Sequence, residues 1–179
     1  MALSKIDVAN MLTGSTPVAN GGTALTSGFV NGNLAKVGQV ISGGTSSQFT
    51  TGSTSFTDVT NCNVAITPSA TSSKILIFFN CNGMFVGAHQ TGIAFQLVRT
   101  IASTATNIST KFTRYGCYIS NVSGVDDKQN SCSHAYLDSP STTSAATYKI
   151  QIQRETGSAD VRISSNSQAS SLIAMEVLA

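Results

Sequence analysis

Beyond Lys36 the apolar positions recur in short runs with a two-residue period, the signature of strands that bury one face. Ten strands are predicted, over Val37–Ile41, Ser47–Thr51, Ser55–Thr67, Ser73–Met84, Gly92–Arg99, Lys111–Ser120, Ser131–Leu137, Thr147–Arg154, Asp160–Ser165 and Ser171–Leu178. In one, Tyr148, Ile150 and Ile152 alternate with Lys149, Gln151 and Gln153; in another, Ile93, Phe95 and Leu97 oppose Gln96. Both read as half-buried strands of an antiparallel sheet. The run Lys74–Cys81 (KILIFFNC) breaks the alternation, because Leu76 and Phe78 are as apolar as Ile75, Ile77 and Phe79. The final strand is similar, with Ile173, Met175 and Val177 on one face and Leu172, Ala174 and Leu178 sharing the other with Glu176. A sandwich strand normally turns its outer face to water, so two strands apolar on both faces predict contact with another subunit, at Leu76, Phe78, Leu172 and Leu178.

Turn signals separate the runs: Thr67-Pro68-Ser69, Ser123-Gly124, Asp138-Ser139-Pro140 and Thr156-Gly157. With no long amphipathic helix between them, the pattern predicts an all-β sandwich, jelly roll or barrel over residues 37–179. Residues 1–36 differ. Ser4 caps a possible short helix carrying Ile6, Val8, Met11 and Leu12, and Thr13–Asn33 is a Gly-, Ser-, Thr- and Asn-rich stretch with Pro17 and no sustained period. This segment reads either as a disordered tail or as an extended arm that orders against neighbouring chains or a partner protein, and its isolated apolar residues, Val18, Leu25, Phe29 and Val30, favour ordering.

Composition narrows the function. Charged residues make up 10% of the chain and Ser plus Thr roughly a quarter, so the surface is one of hydroxyls and amides. A net charge of +2 without a basic patch argues against nucleic-acid binding. The longest apolar run, Ile75–Phe79, is too short for a bilayer, and the N-terminus lacks a secretory pattern, so synthesis and folding in a cytoplasm are expected. In that reducing setting Cys62, Cys81, Cys117 and Cys132, which show no metal-ligand spacing, are expected as buried thiols.

Catalytic chemistry finds no foothold. The histidines, His89 and His134, sit in no catalytic signature; His134 shares a strand face with Cys132, an arrangement more ordinary in a strand than in a metal or thiolate pair. Asp126-Asp127 lies in a polar loop without calcium-loop spacing, and eight acidic residues form no glycosidase-like pair. Gly21-Gly22 and Gly43-Gly44 read as flexible or turn glycines rather than a phosphate loop. Phe112, Tyr115 and Tyr118 suit core packing as well as sugar stacking. No enzyme, metal or cofactor is therefore expected.

The stretch Leu12–Thr23, LTGSTPVANGGT, resembles the L-x-G-x-x-P-V-A-N-G-G-T motif of bacteriophage tail-fibre and appendage proteins, with Ala24 where a further glycine usually follows. The region 50–179, with ITPSATSSKILI (Ile66–Ile77), YLDSPSTTSAATYKIQI (Tyr136–Ile152) and the terminal Ala174–Val177, is similar to small phage modules that look like trimeric jelly-roll heads of the tumour-necrosis-factor and complement type. The resemblance implies an antiparallel jelly-roll head, homotrimeric, on an arm attached to other virion proteins through Met11, Leu12, Pro17, Val18, Asn20, Gly21 and Gly22. The expected function is a non-enzymatic virion structural protein, a tail-fibre or receptor-binding component on the particle exterior, made in the host bacterial cytoplasm. It would bind a host surface glycan or protein through loops near Val122–Asn130. A capsid decoration protein is the second reading, and a surface-polysaccharide hydrolase the third.

Overall fold

A computed structural model of the chain describes residues 36–88, 90–118 and 128–178, with side chains for 37–88, 90–109 and 129–178. The predicted arm, with Met11 through Gly22, lies outside the described residues. So do His89, Asp126-Asp127 and the side chains of Phe112, Tyr115, Cys117 and Tyr118.

Each predicted strand is present. They are β1 (Lys36–Thr45), β2 (Phe49–Thr51), β3 (Thr57–Ile66), β4 (Lys74–Val86), β5 (Gly92–Ile101), β6 (Thr104–Tyr118), β7 (Lys128–Asp138), β8 (Ala146–Thr156), β9 (Val161–Ile163) and β10 (Ser170–Leu178). One sheet runs β1-β10-β4, with β7 on the other edge of β4; β9 and β2 continue the β10 and β1 positions along the far end of β4. The second sheet runs β3-β8-β5-β6. The pairings of β4 with β10, β7 and β9, of β2 with β9, of β8 with β3 and β5, and of β5 with β6 are all antiparallel. With the short β2 and β9 set aside, chain-consecutive strands repeatedly cross between sheets, which is the winding of a jelly roll.

Alternation explains the layer between the sheets. Ile75, Ile77, Phe79 and Cys81 of β4 and Leu172 and Ala174 of β10 meet Ile93, Phe95 and Leu97 of β5 and Tyr148, Ile150 and Ile152 of β8 in one buried core. Phe79 and Phe95 bridge the layers as a tilted pair with centroids 5.8 Å apart.

Three expectations are corrected. β5 is not half-buried: Ala94, Gln96 and Val98 are buried as well, because the strand is central and long side chains of β8 and β6 cover it. β6 starts seven residues early, since Ala102 and Ser103 both take positive φ (46° and 69°) and close a two-residue hairpin between Ile101 and Thr104 without the glycine or asparagine that signals one. Gly43-Gly44 lies inside β1 and is no turn. A Cβ at Gly43 would stand 2.2 Å from the Asn63 carbonyl oxygen, and one at Gly44 2.2 Å from that of Ser170, so only glycine admits the backbone approach.

Two buried acids are fully engaged. Asp138 of β7 accepts two hydrogen bonds from Arg99 Nη1 of β5 (2.9 and 2.8 Å) and one from the Tyr148 hydroxyl of β8 (2.7 Å), tying one sheet to the other. Burial and the neighbouring carboxylate push the Tyr148 hydroxyl well above its ordinary pKa, so it donates throughout the physiological range. Glu176 of β10, 1% exposed, accepts from Ser69 N (2.6 Å), Ser69 Oγ (2.7 Å) and Gln39 Nε2 (2.9 Å). Burial alone would raise its pKa. The hydrogen bonds from Ser69 and Gln39 outweigh that, and the net shift is downward.

Removing Asp138 strands Arg99 and Tyr148 in the interior. Asp138→Ala is expected to cost about 3–5 kcal/mol in urea unfolding, whereas Tyr148→Phe, which keeps the ion pair, is expected to cost about 1–2 kcal/mol. For Glu176 the folded pKa lies below the ordinary 4.5, so its contribution is full above that value and is lost as pH falls through the folded pKa. The stability gap between the native chain and Glu176→Gln in pH-resolved thermal melts should therefore be constant near neutrality and shrink below about pH 4.

Candidate functional site

The outer face of the β1-β10-β4-β7 sheet is the candidate site. Register places its outward residues in cross-strand rows: Leu137, Leu76 and Met175; Ala135, Phe78 and Ile173; then Ser133, Asn80 and Ser171. Neighbours in such rows share one face of a sheet, so two apolar rows merge into one patch bordered by a polar row. Phe78 is 42% exposed and Leu137 49%, while Val40 of β1 extends apolar exposure on the same sheet at 56%. A cavity of about 390 Å³ lies between the second and third rows, its lining including Phe78, Ile173, Ala135, Asn80, Ser133 and Ser171. Ser133 Oγ donates to Asn80 Oδ1 at 3.0 Å and fixes that border.

The other outer face has the opposite chemistry. Gln96 Nε2 donates to Gln151 Oε1 and to Asn107 Oδ1 (3.3 Å), Gln151 Nε2 to Asp58 Oδ1 (2.5 Å), and Lys149 Nζ to Asp58 Oδ2 (2.6 Å). Burial would raise the Asp58 pKa, but hydrogen bonds from Lys149 and Gln151 and the Lys149 charge lower it. This network links side chains of four strands and leaves a water-compatible surface, with Gln96 Oε1 buried and without a hydrogen-bond partner.

Of the predicted interface residues, Leu76 and Phe78 lie on the outward face. Leu172 does not: it is 0% exposed, inside the core with Ala174, and offers a neighbour nothing. Leu178 shares that inward parity and is partly exposed at the strand end. Both faces of β10 are apolar, so alternation could not choose between them, and the inward one carries Glu176. Its hydrogen bonds hold it inward, which turns Ile173, Met175 and Val177 outward instead.

His134 lies on the inward side of β7 in register with Phe79, two residue pairs along the ladder from Cys132 and Cys81. Ser109 Oγ and His134 Nε2 are 3.2 Å apart, a contact joining the edge strand of one sheet to the edge strand of the other. Its ring stacks on Tyr136 at 6.5 Å, and burial lowers its pKa, favouring the neutral imidazole. Among the described residues no group of three or more His, Cys, Asp or Glu is placed to hold a metal ion, and no helix is long and apolar enough to cross a membrane.

No family model matches the chain, and no curated protein matches its sequence. Among solved structures it is similar to an infectious bursal disease virus VP2 subviral particle, at 12% identity and TM-score 0.37 over 87% of this chain and 40% of that one. It is also similar to the Gx strain of the same virus, at 11% identity and TM-score 0.38 over 81% and 37% of the two chains. Eiger TNF from S. frugiperda is similar at 16% identity and TM-score 0.37, over 78% and 93%. The chain thus spans about two fifths of the length of the two virus chains. At such identities and scores, the jelly-roll assignment stands on this chain's own strand pairing.

Proposed function

We propose that the protein is a non-enzymatic structural component of a bacteriophage particle, attached by residues 1–36 and presenting its sandwich outward as a homotrimeric tail-fibre or receptor-binding head. The observation that carries this reading is the contrast between the two outer faces. One is an apolar patch centred on Phe78 and Leu137; the other is a hydrogen-bonded network of amides with the Asp58–Lys149 ion pair. An apolar sheet face is stabilised by covering, and a single-sided patch on a sandwich suits a closed ring of identical subunits. The amide faces and loop ends then point away from the axis.

The PVANGGT-type stretch at Pro17–Thr23 supports attachment to other virion proteins, and the low charge and many hydroxyls suit adaptable hydrogen bonding to a host glycan or surface protein. Three heads on one axis would convert weak individual contacts into firm adhesion.

Adsorption competition tests the binding role. Purified full-length protein, pre-incubated with host cells, should reduce particle attachment in a dose-dependent way; unchanged attachment with correctly assembled protein would instead place it in capsid decoration. Assembly is tested separately. Phe78→Lys should convert a trimeric mass in sedimentation to a monomeric one while costing the isolated fold no more than about 1 kcal/mol, because Phe78 is outside the core. Such a monomer should need roughly a hundredfold more protein to compete. A native chain that is already monomeric at working concentration would refute the assembly claim.

A further inference from the structure

Inside the sandwich, two thiols face each other across a strand pair. Cys81 of β4 and Cys132 of β7 are register partners, so their side chains project from the same side of the sheet, toward the core. Opposed residues in antiparallel strands have Cα atoms about 4.5–5.5 Å apart. A disulfide spans about 4.4–6.8 Å between Cα atoms, so the backbone already meets its requirement.

From this geometry we infer that Cys81 and Cys132 form an oxidisable pair, which a small-molecule disulfide converts into a cross-strand bond that locks β4 to β7. Three further observations fit. The ladder loses register immediately after Cys81, with Gly83 at φ +60°, so the strand has slack beside the reacting sulfur. Cys132 is partly accessible while Cys81 is fully buried, which sets the order of reaction. Finally, the neighbouring Cys132 thiol, together with burial, raises the Cys81 thiol far above its ordinary pKa, so the resting state is protonated.

The chemistry balances with oxidised glutathione. The Cys132 thiolate attacks one glutathione sulfur, forming a mixed disulfide and releasing the first glutathione thiolate. Cys81 then gives up its proton and attacks the Cys132 sulfur. The protein disulfide forms, the mixed one breaks, and the second glutathione leaves; two protein thiols have been oxidised and one glutathione disulfide reduced. The raised Cys81 pKa makes the second step slow near neutrality and faster as pH rises. Cys62, buried on β3, faces Cys81 from the opposite sheet and is not its register partner, so it is expected to remain a thiol.

The test incubates folded full-length protein with oxidised glutathione at pH 8, blocks remaining thiols with N-ethylmaleimide under denaturing conditions, and maps peptides by mass spectrometry. The expected product is a Cys81–Cys132 peptide pair about 2 Da lighter than the sum of its thiol forms. The link should persist in Cys62→Ser and vanish in Cys132→Ser. Recovery of Cys81 and Cys132 as fully alkylated residues after prolonged oxidation, or a Cys62–Cys81 link in their place, would overturn the inference. The wild-type map decides the question even if a variant fails to fold.

Discussion

The structure depends on the burial and double pairing of β4. This 13-residue strand hydrogen-bonds to β10 and β9 along one edge and to β7 along the other, and its inward side chains fill the middle of the core. A strand in that position must satisfy its backbone by the ladder on both edges and exclude water from its inner face, which Ile75, Ile77, Phe79 and Cys81 accomplish. Because β10 comes from the end of the chain and β7 from its middle, neither edge of β4 can form until distant segments have been brought together.

The same strand creates the asymmetry between the two outer faces. Its outward residues, Leu76 and Phe78, align with Met175 and Ile173 on one side and Leu137 and Ala135 on the other, so the ladder that builds the core also assembles an apolar patch on the surface. The second sheet follows the opposite course. Gln96 at the centre of β5 is buried by its neighbours and hydrogen-bonded to Gln151 and Asn107, and with the Asp58–Lys149 pair this makes that face polar. With 10% charged residues in the chain, amides and hydroxyls supply most of its polar surface.

Polar groups taken into the interior are placed where they join elements that the ladders do not. Asp138 links β7 to β5 and β8 across the sandwich, and Glu176 fastens β10 to β1 and to the Pro68–Ser73 turn. Ser109 with His134 joins the two edge strands on one side. These contacts orient the sheets relative to each other more than they stabilise them, since burying a charge costs about as much as its pairing returns.

The strand pattern alone located all ten strands, because a two-residue period and Pro- or Gly-marked turns are local properties of a chain. It also located the doubly apolar segments that make the surface patch. It did not reveal which face of β10 turned inward, that β5 was buried on both sides, that Ala102-Ser103 would close a hairpin, or that Cys81 would stand opposite Cys132. Each of these is decided by what lies on the neighbouring strand. Alternation divides a strand into two sides, but only pairing with segments 50 or 100 positions away says which side meets the core, and only there does a glutamate find the donors that let it turn inward.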